Sequence, residues 1–170
     1  MNSKKNLVLL GMMASGKSTI GALLSKKLGL KFFDIDKIME KEMRMTIAEI
    51  FDKKSEVFFR NLEESIVLKT LQNKNSIISL GGGAFFNDKV RKEVIMNQIS
   101  FWLDCNDKTL LKRIRNNTKR PIANKLNDKE LLELIMKRKK TYAKAKFKIN
   151  CDNLSKQQIV ANIMKSYETI

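Results

Sequence analysis

Gly11-Met-Met-Ala-Ser-Gly-Lys-Ser18, followed by Thr19, carries its chemistry most directly in residue type and spacing. It fits G-x-x-x-x-G-K-[ST], the pattern of a loop that wraps phosphate groups. Gly11 and Gly16 allow backbone conformations closed to other residues and bring N–H groups near an anion. Those groups form a concave nest at a helix N-terminus, where the helix dipole also favours negative charge. Lys17 is placed to reach the β- and γ-phosphates, and the Ser18 hydroxyl to ligate Mg²⁺. The competing reading is a chance match in a strand–turn–helix. The flanking apolar runs and the Ser-Thr ending weigh against it.

A second group of candidate residues lies further along. Asp34-Ile-Asp36 sets two carboxylates two residues apart. On an extended chain they point to the same side, toward the phosphate loop. One would help hold Mg²⁺ through its waters, and the other would accept a proton from a substrate hydroxyl. The alternative is that Asp36 only N-caps the next helix. Gly81-Gly82-Gly83 suits a ligand that approaches the backbone closely, or a tight turn. Arg60 has Glu63 and Glu64 at i+3 and i+4. They form either a surface ion pair worth under ~1 kcal/mol, or a brace in which Glu63 aims Arg60 at a substrate carboxylate. A planar guanidinium grips such a group in two places. Arg138 shares a helical stripe with Leu131, Leu134, Ile135 and Tyr142. A charge on that stripe faces a ligand or snorkels to water. Arg113 precedes the polar segment Asn116–Asn127, which holds Arg120 and the chain's only proline, Pro121. An arginine arriving on a lid there would stabilise charge on a transferring phosphoryl group. Loop solvation is the alternative.

These residues need a scaffold. Leu7–Leu10 reads as a buried strand, followed by a helix from Lys17 to Leu28 with Gly29 as its C-cap. Further strands are expected at Lys31–Asp34, Ser76–Leu80, Ile99–Leu103 and Phe147–Cys151. Helices are expected at Asp36–Arg44, Thr46–Lys53, Ser55–Leu71, Asp88–Met96 and Asp107–Arg115, then from Asp128 onward. Ser155-Lys-Gln-Gln158 has capping-box spacing and opens the last one. In the long helix Phe58, Phe59, Leu62, Ile66 and Val67 make the apolar side. Strands alternating with helices indicate a parallel sheet covered on both faces. Ligands then sit at the carboxyl ends of the strands, where the phosphate loop, the aspartate pair and the three glycines all fall.

Bulk composition narrows the chemistry. A chain of 170 residues with 43% hydrophobic and 31% charged content is one globular domain. No apolar run approaches the ~18 residues of a membrane span. The start, Met1-Asn-Ser-Lys-Lys, is basic, but the apolar stretch after it runs straight into the phosphate loop and is read as a core strand rather than a removable signal. The expected compartment is the cytoplasm. With no histidine, a His base, a Ser-His triad and His-ligated zinc are excluded. The two cysteines, Cys105 and Cys151, are read as buried free thiols. The net charge of +16 draws anions, although the lysines are spread along the whole chain and decorate helix faces.

Gly11–Thr19, Asp34-Ile-Asp36, Phe59-Arg60-Asn-Leu-Glu63-Glu64, Ser79-Leu-Gly-Gly-Gly83, Arg120-Pro121 and Arg138 before Tyr142 together resemble the shikimate kinase family. The resemblance spans essentially the whole chain. It implies an α/β fold, the three-layer P-loop kinase fold, with a five-stranded parallel sheet of order 2-3-1-4-5 and helices on both faces. It implies a single domain, 1–170, with a substrate-binding helical part at about 35–62 and a lid at about 115–127. It also implies transfer of the ATP γ-phosphate to the 3-hydroxyl of shikimate, with Mg²⁺, in chorismate and aromatic amino-acid biosynthesis. By the same resemblance Lys17, Asp36 and Arg120 are catalytic. Gly11, Met12, Met13, Ala14, Ser15, Gly16, Lys17, Ser18 and Thr19 bind ATP with Arg113 and Arg120, and Arg113 stacks on adenine. Asp36, Arg60, Glu63, Gly81, Gly82, Gly83 and Arg138 bind shikimate. Ser18 and, through water, Asp34 serve the metal. Asp152-Asn-Leu-Ser155 departs from the arginine or proline segment of many relatives, which leaves adenine contacts there open. The expected molecule is a monomer whose partners are ATP and shikimate, with no nucleic acid and no membrane.

Two other classes compete. A gluconate or nucleotide kinase would share the phosphate loop, but Arg60 and Arg138 with Gly81–Gly83 favour an acceptor bearing a carboxylate. A nucleic-acid-binding ATPase would use the positive charge, but no aromatic stacking motif stands out.

Overall fold

The computed structural model describes residues 5–116 and 126–169. Strand β1, Leu7–Leu10, lies at the centre of the sheet, and all four of its residues are at most 1% exposed. An apolar run covered on both faces is what a central parallel strand requires. β1 pairs in parallel with β3 (Ser76–Ser79) on one side and β4 (Ile99–Asp104) on the other. β2 (Lys31–Asp34) joins β3, and β5 (Phe147–Asn150) joins β4. The order is therefore β2-β3-β1-β4-β5, as the family resemblance implied. β3 and β5 each stop one residue short of the sequence expectation, and β4 runs one further.

Helices cover both faces of the sheet. They are α1 (Lys17–Leu28), α2 (Ile35–Met43), α3 (Ile47–Lys53), α4 (Glu56–Leu71), α5 (Asp88–Asn97), α6 (Asp107–Arg115), α7 (Asp128–Tyr142) and α8 (Lys156–Glu168). Gly29 ends α1 at φ 66°, and Ser155 and Gln158 form the expected capping box. Gly21 lets α1 settle onto β2, because a Cβ there would run into the Phe32 ring.

Two local expectations are corrected. Helix α2 begins at Ile35, so Asp34 takes the N-cap position and Asp36 lies within the first turn. The aspartates are therefore not on one extended stretch, and Asp36 is not a cap. In α4, Phe58 is 38% exposed with the Lys54 ammonium 5.7 Å from its ring centroid. Phe59 turns inward instead, its ring 4.1 Å from that of Phe51. The buried stripe continues through Glu63, Ile66, Val67 and Thr70, so a carboxylate shares the core face of this helix.

At the amino end of the sheet, opposite the phosphate loop, Asn6 ties three segments together. Its Nδ2 donates to the Leu71 and Asn73 carbonyls, and its Oδ1 accepts the Ser76 amide. Asn6→Ala leaves these buried groups without partners. Each unmet group costs ~1–3 kcal/mol, so the expected loss is about 3 kcal/mol. For a domain of this size that lowers Tm by about 10 °C. Thermal unfolding checks it; a fall within about 2 °C would mean that water replaces the amide.

Candidate active site

Between β1 and α1 the loop turns with φ 145° at Gly11, 64° at Ala14 and 96° at Gly16. Gly11 has a second constraint, since a Cβ there would lie 2.8 Å from the Leu103 carbonyl oxygen. Lys17 is buried, and its Nζ donates to the Gly11 and Met12 carbonyls at 2.9 Å each. The ammonium is thus held over the mouth of its own loop. Ser18 and Thr19 are exposed in the first turn of α1.

Beside the loop lies a cleft of about 50 Å³ lined by Met13, Asp36, Ile47, Phe51, Phe59, Arg60, Glu63, Gly82, Gly83 and Arg138. Four of these come from separate helices. Asp36 sits on α2, Ile47 on α3, Arg60 on α4 and Arg138 on α7. The glycines make that convergence possible by size rather than by backbone freedom. A Cβ at Gly81 would lie 2.5 Å from Glu63 Oε1 and 3.0 Å from Asp36 Oδ1. At Gly82 it would lie 3.5 Å from Arg138 Nη1, and at Gly83 it would overlap the Arg60 guanidinium. The segment is also a tight turn, closed by the Ala84 amide donating to the Gly81 carbonyl at 3.1 Å. The space is that of one or two waters, and Arg60, Glu63, Gly83 and Arg138 also line an adjoining cavity of about 380 Å³.

Arg60 makes one buried-side and one exposed ion pair. Its Nη1 donates to Glu63 Oε2 at 2.8 Å, and Glu63 is 4% exposed. A second carboxylate, Glu56, lies 3.5 Å from Nη2. Glu64 faces elsewhere and accepts from Asn87 and Lys89. Arg138 is 7% exposed, so it does not snorkel. Its Nη1 points at Met12 Sδ at 3.7 Å, and its guanidinium carbon is 5.7 Å from the Phe86 ring centroid. Tyr142, one turn on, donates its hydroxyl to the Gly82 carbonyl at 2.5 Å, and burial pushes its phenol up to about 12.

The charges around the cleft are strained in opposite senses. Burial lowers the Arg138 pKa, and the like charge of Arg60 lowers it further. Burial also pushes the Glu63 carboxyl up, against the pull of Arg60 and with the help of Asp36. Two guanidinium groups crowding one cleft are relieved when an anion lies between them. The sign of the Glu63 shift gives a test. A carboxyl raised on folding favours its neutral form, so stability is lost as pH rises through the interval above the ordinary value of 4.5. Glu63→Gln is therefore expected to raise the neutral-pH Tm of the unliganded chain while raising the acceptor KM about tenfold, since Arg60 loses its brace. A Tm at or below that of the unaltered chain would mean that the ion pair outweighs burial.

On the other side of the loop two adjoining cavities run beneath α6, of about 330 and 490 Å³. Arg113 lines both, with its Nη1 3.5 Å from the Ala14 carbonyl. Cys151, Leu154 and the start of α8 supply the far wall. Arg120 and Pro121 lie outside the described residues. At their borders Arg115 bridges to Asp128 at 2.8 Å and to the Leu126 carbonyl at 2.7 Å. Sequence reasoning did not single out Ile47, Phe51 or Phe86 as site residues. Their helical spacing reads as ordinary core. Cys105 follows β4 directly, and the strand-end rule alone would have marked it.

For a metal, Asp34 Oδ2 is buried with no hydrogen-bond partner among the described residues. An orphaned carboxylate oxygen suits a water of a hydrated cation. No cluster of three or more His, Cys, Asp or Glu that could hold a metal occurs among the described residues.

A family model described as shikimate kinase matches residues 13–168. The chain belongs to the shikimate kinase family. A shikimate kinase of Persephonella marina is 41% identical over 160 residues, covering 94% of this chain and 97% of that protein. Among solved structures, the shikimate kinase of Aquifex aeolicus is 32% identical with a TM-score of 0.85, covering 96% of each chain. That of Acinetobacter baumannii, in complex with shikimate, is 27% identical with a TM-score of 0.92, covering 98% of this chain and 94% of that one. Family membership makes the chain a kinase with the P-loop kinase fold, in agreement with its sheet order and phosphate loop.

Proposed function

We propose that the chain transfers the γ-phosphoryl group of ATP to the 3-hydroxyl of shikimate, giving shikimate 3-phosphate and ADP in chorismate and aromatic amino-acid biosynthesis. The observation that carries the acceptor class is the cleft in which Arg60 and Arg138 press two like charges together beside Asp36. The carboxylate of the acceptor lies between the guanidinium groups, and Glu63 keeps Arg60 in place. Asp36 binds the ring hydroxyls, while Gly81, Gly82 and Gly83 form the floor. As the 3-hydroxyl oxygen bonds to γ-phosphorus, its proton passes to Asp36 and the bond to the ADP oxygen breaks. Phosphoryl transfer needs little beyond such positioning and charge stabilisation. Lys17 leaves the Gly11 and Met12 carbonyls for the β- and γ-phosphates, which Met12 to Gly16 surround with backbone N–H groups. Arg113 stacks on adenine. Arg120, on a lid at about 115–127, meets the transferring group. Ser18, with Asp34 through water, would hold Mg²⁺, which supplies charge neutralisation at the phosphates. The whole chain acts as one domain, a cytoplasmic monomer needing only its two substrates, with α2, α3 and the start of α4 moving to admit the acid. No helix among the described residues is long and apolar enough to cross a membrane.

The test is ADP release with ATP, Mg²⁺ and a panel of shikimate, gluconate, AMP and deoxyadenosine. Turnover with shikimate alone is expected. Phosphorylation of gluconate or a nucleoside compound without shikimate turnover would overturn the reading.

A further inference from the structure

Cys105 and Cys151 are the residues immediately after β4 and β5. Those strands pair with Asp104 opposite Asn150, so the next rung sets the two cysteines side by side. The Cys151 amide donates to the Asp104 carbonyl at 2.8 Å and keeps the ladder closed there. Adjacent strands lie about 4.8 Å apart, within the ~4.4–6.8 Å Cα separation that a disulfide spans. Both thiols are free, and each donates to a backbone carbonyl, Cys105 to Ser15 and Cys151 to Ile149 at 3.4 Å. Both line the cavity of about 490 Å³ next to Arg113. Cys105 Sγ lies 3.7 Å from the Ser15 carbonyl and 4.0 Å from Arg113 Nη1. The neighbouring Cys151 thiol, then the Arg113 charge, hold the Cys105 thiol below its ordinary value against burial. That asymmetry makes Cys105 the nucleophile of the pair.

We propose that Cys105 and Cys151 form a reversible disulfide in the wall of the nucleotide cavity, and that its formation weakens ATP binding. Hydrogen peroxide is a sufficient oxidant. The Cys105 thiolate attacks one peroxide oxygen, the O–O bond breaks, and the departing hydroxide takes up a proton as water. The Cys151 sulfur then attacks the Cys105 sulfenic acid, forms the S–S bond and releases a second water. Two thiols lose two electrons and two protons, and a dithiol reductant returns them. In the oxidised pair Cys105 has no S–H for the Ser15 carbonyl, and its sulfur is drawn from Arg113 toward Cys151. The phosphate loop loses a tie to the end of β4, and Arg113 loses the sulfur beside it.

The effect on ATP rests on the assignment of this cavity to the nucleotide. The test oxidises the full chain with peroxide and reads intact mass, free thiols and non-reducing mobility. Binding of a non-hydrolysable ATP analogue follows by calorimetry. Expected are a loss of about 2 Da, two thiols gone per chain, unchanged monomer mobility and recovery with dithiothreitol. The analogue should bind roughly fivefold more weakly, the size of one ordinary hydrogen bond, and should slow oxidation when present beforehand. Cys151→Ala should show no mass loss of this kind and no oxidant-dependent change in affinity. A chain that keeps both thiols, cross-links between copies, or binds the analogue equally well in both forms overturns the proposal. If the reduced chain binds no analogue, the nucleotide assignment fails and the coupling with it, while the mass reading still decides the disulfide.

Discussion

Asp36→Asn is expected to lower kcat about 10²–10⁴-fold, the usual worth of a positioned acid–base group, with ATP binding unchanged. The substitution keeps the shape and the hydrogen-bonding reach of the side chain and removes only its ability to take a proton. Asp36 lies in the first turn of α2, half-buried, on the wall of the same cleft as Arg60 and Arg138. Its Oδ1 stands beside Gly81 at the carboxyl end of β3, where the phosphate loop is the next strand's neighbour. With no histidine in the chain, few groups can substitute for it. ADP-release kinetics and calorimetric titration with an ATP analogue check the two halves. Turnover within a few-fold of the unaltered chain would remove Asp36 as the base. Loss of ATP binding would show that the change had disturbed the phosphate loop instead.

Arg138→Ala is expected to raise the shikimate KM roughly 30-fold to a few thousand-fold, from the ~2–5 kcal/mol that truncating one member of a buried charge pair costs. The ATP KM should move little, because Arg138 touches the loop at Met12 Sδ, a side chain, rather than at the phosphate-facing amides. Arg138→Lys separates charge from shape. A lysine keeps the positive charge but loses the planar fork, so most of the penalty should remain. Restoration of normal KM by lysine would mean that charge alone is read. Unfolding of the alanine variant, seen as loss of the cooperative thermal transition, would assign Arg138 to the fold. Its neighbours Phe86, Tyr142 and Glu63 keep that outcome open to measurement.

The phosphate loop was fully legible because its function is local. Two glycines, a lysine and a serine within one turn of chain suffice to cradle an anion, and β1 and α1 take the expected bounds. The alternation of strands and helices was legible for the same reason. The strand order was implied only through family resemblance, since nothing in residue periodicity says which strand lies beside which. Glu63 shows the limit on the acceptor side. At i+3 from Arg60 it reads equally as a solvated pair or a buried brace, and only the packing of α4 against α2 and β3 hides it from water. Phe58 and Phe59 differ in the same way. Both suit an apolar stripe, and the position of α3 decides which ring turns inward. Asn6 gave no signal at all, because the backbone partners of its side chain lie 65 to 70 residues further along the chain.

By itself, then, the sequence determined the phosphate-binding chemistry, the kind of elements and their succession, because hydrogen-bonded turns, caps and apolar periods act over a few residues. Only the tertiary structure decided that Asp36, Arg60, Glu63 and Arg138 share one cleft, and that Cys105 faces Cys151. Those encounters depend on helices meeting over glycines too small to keep them apart and on the register of parallel strands. Both are set by long-range packing that no local pattern encodes.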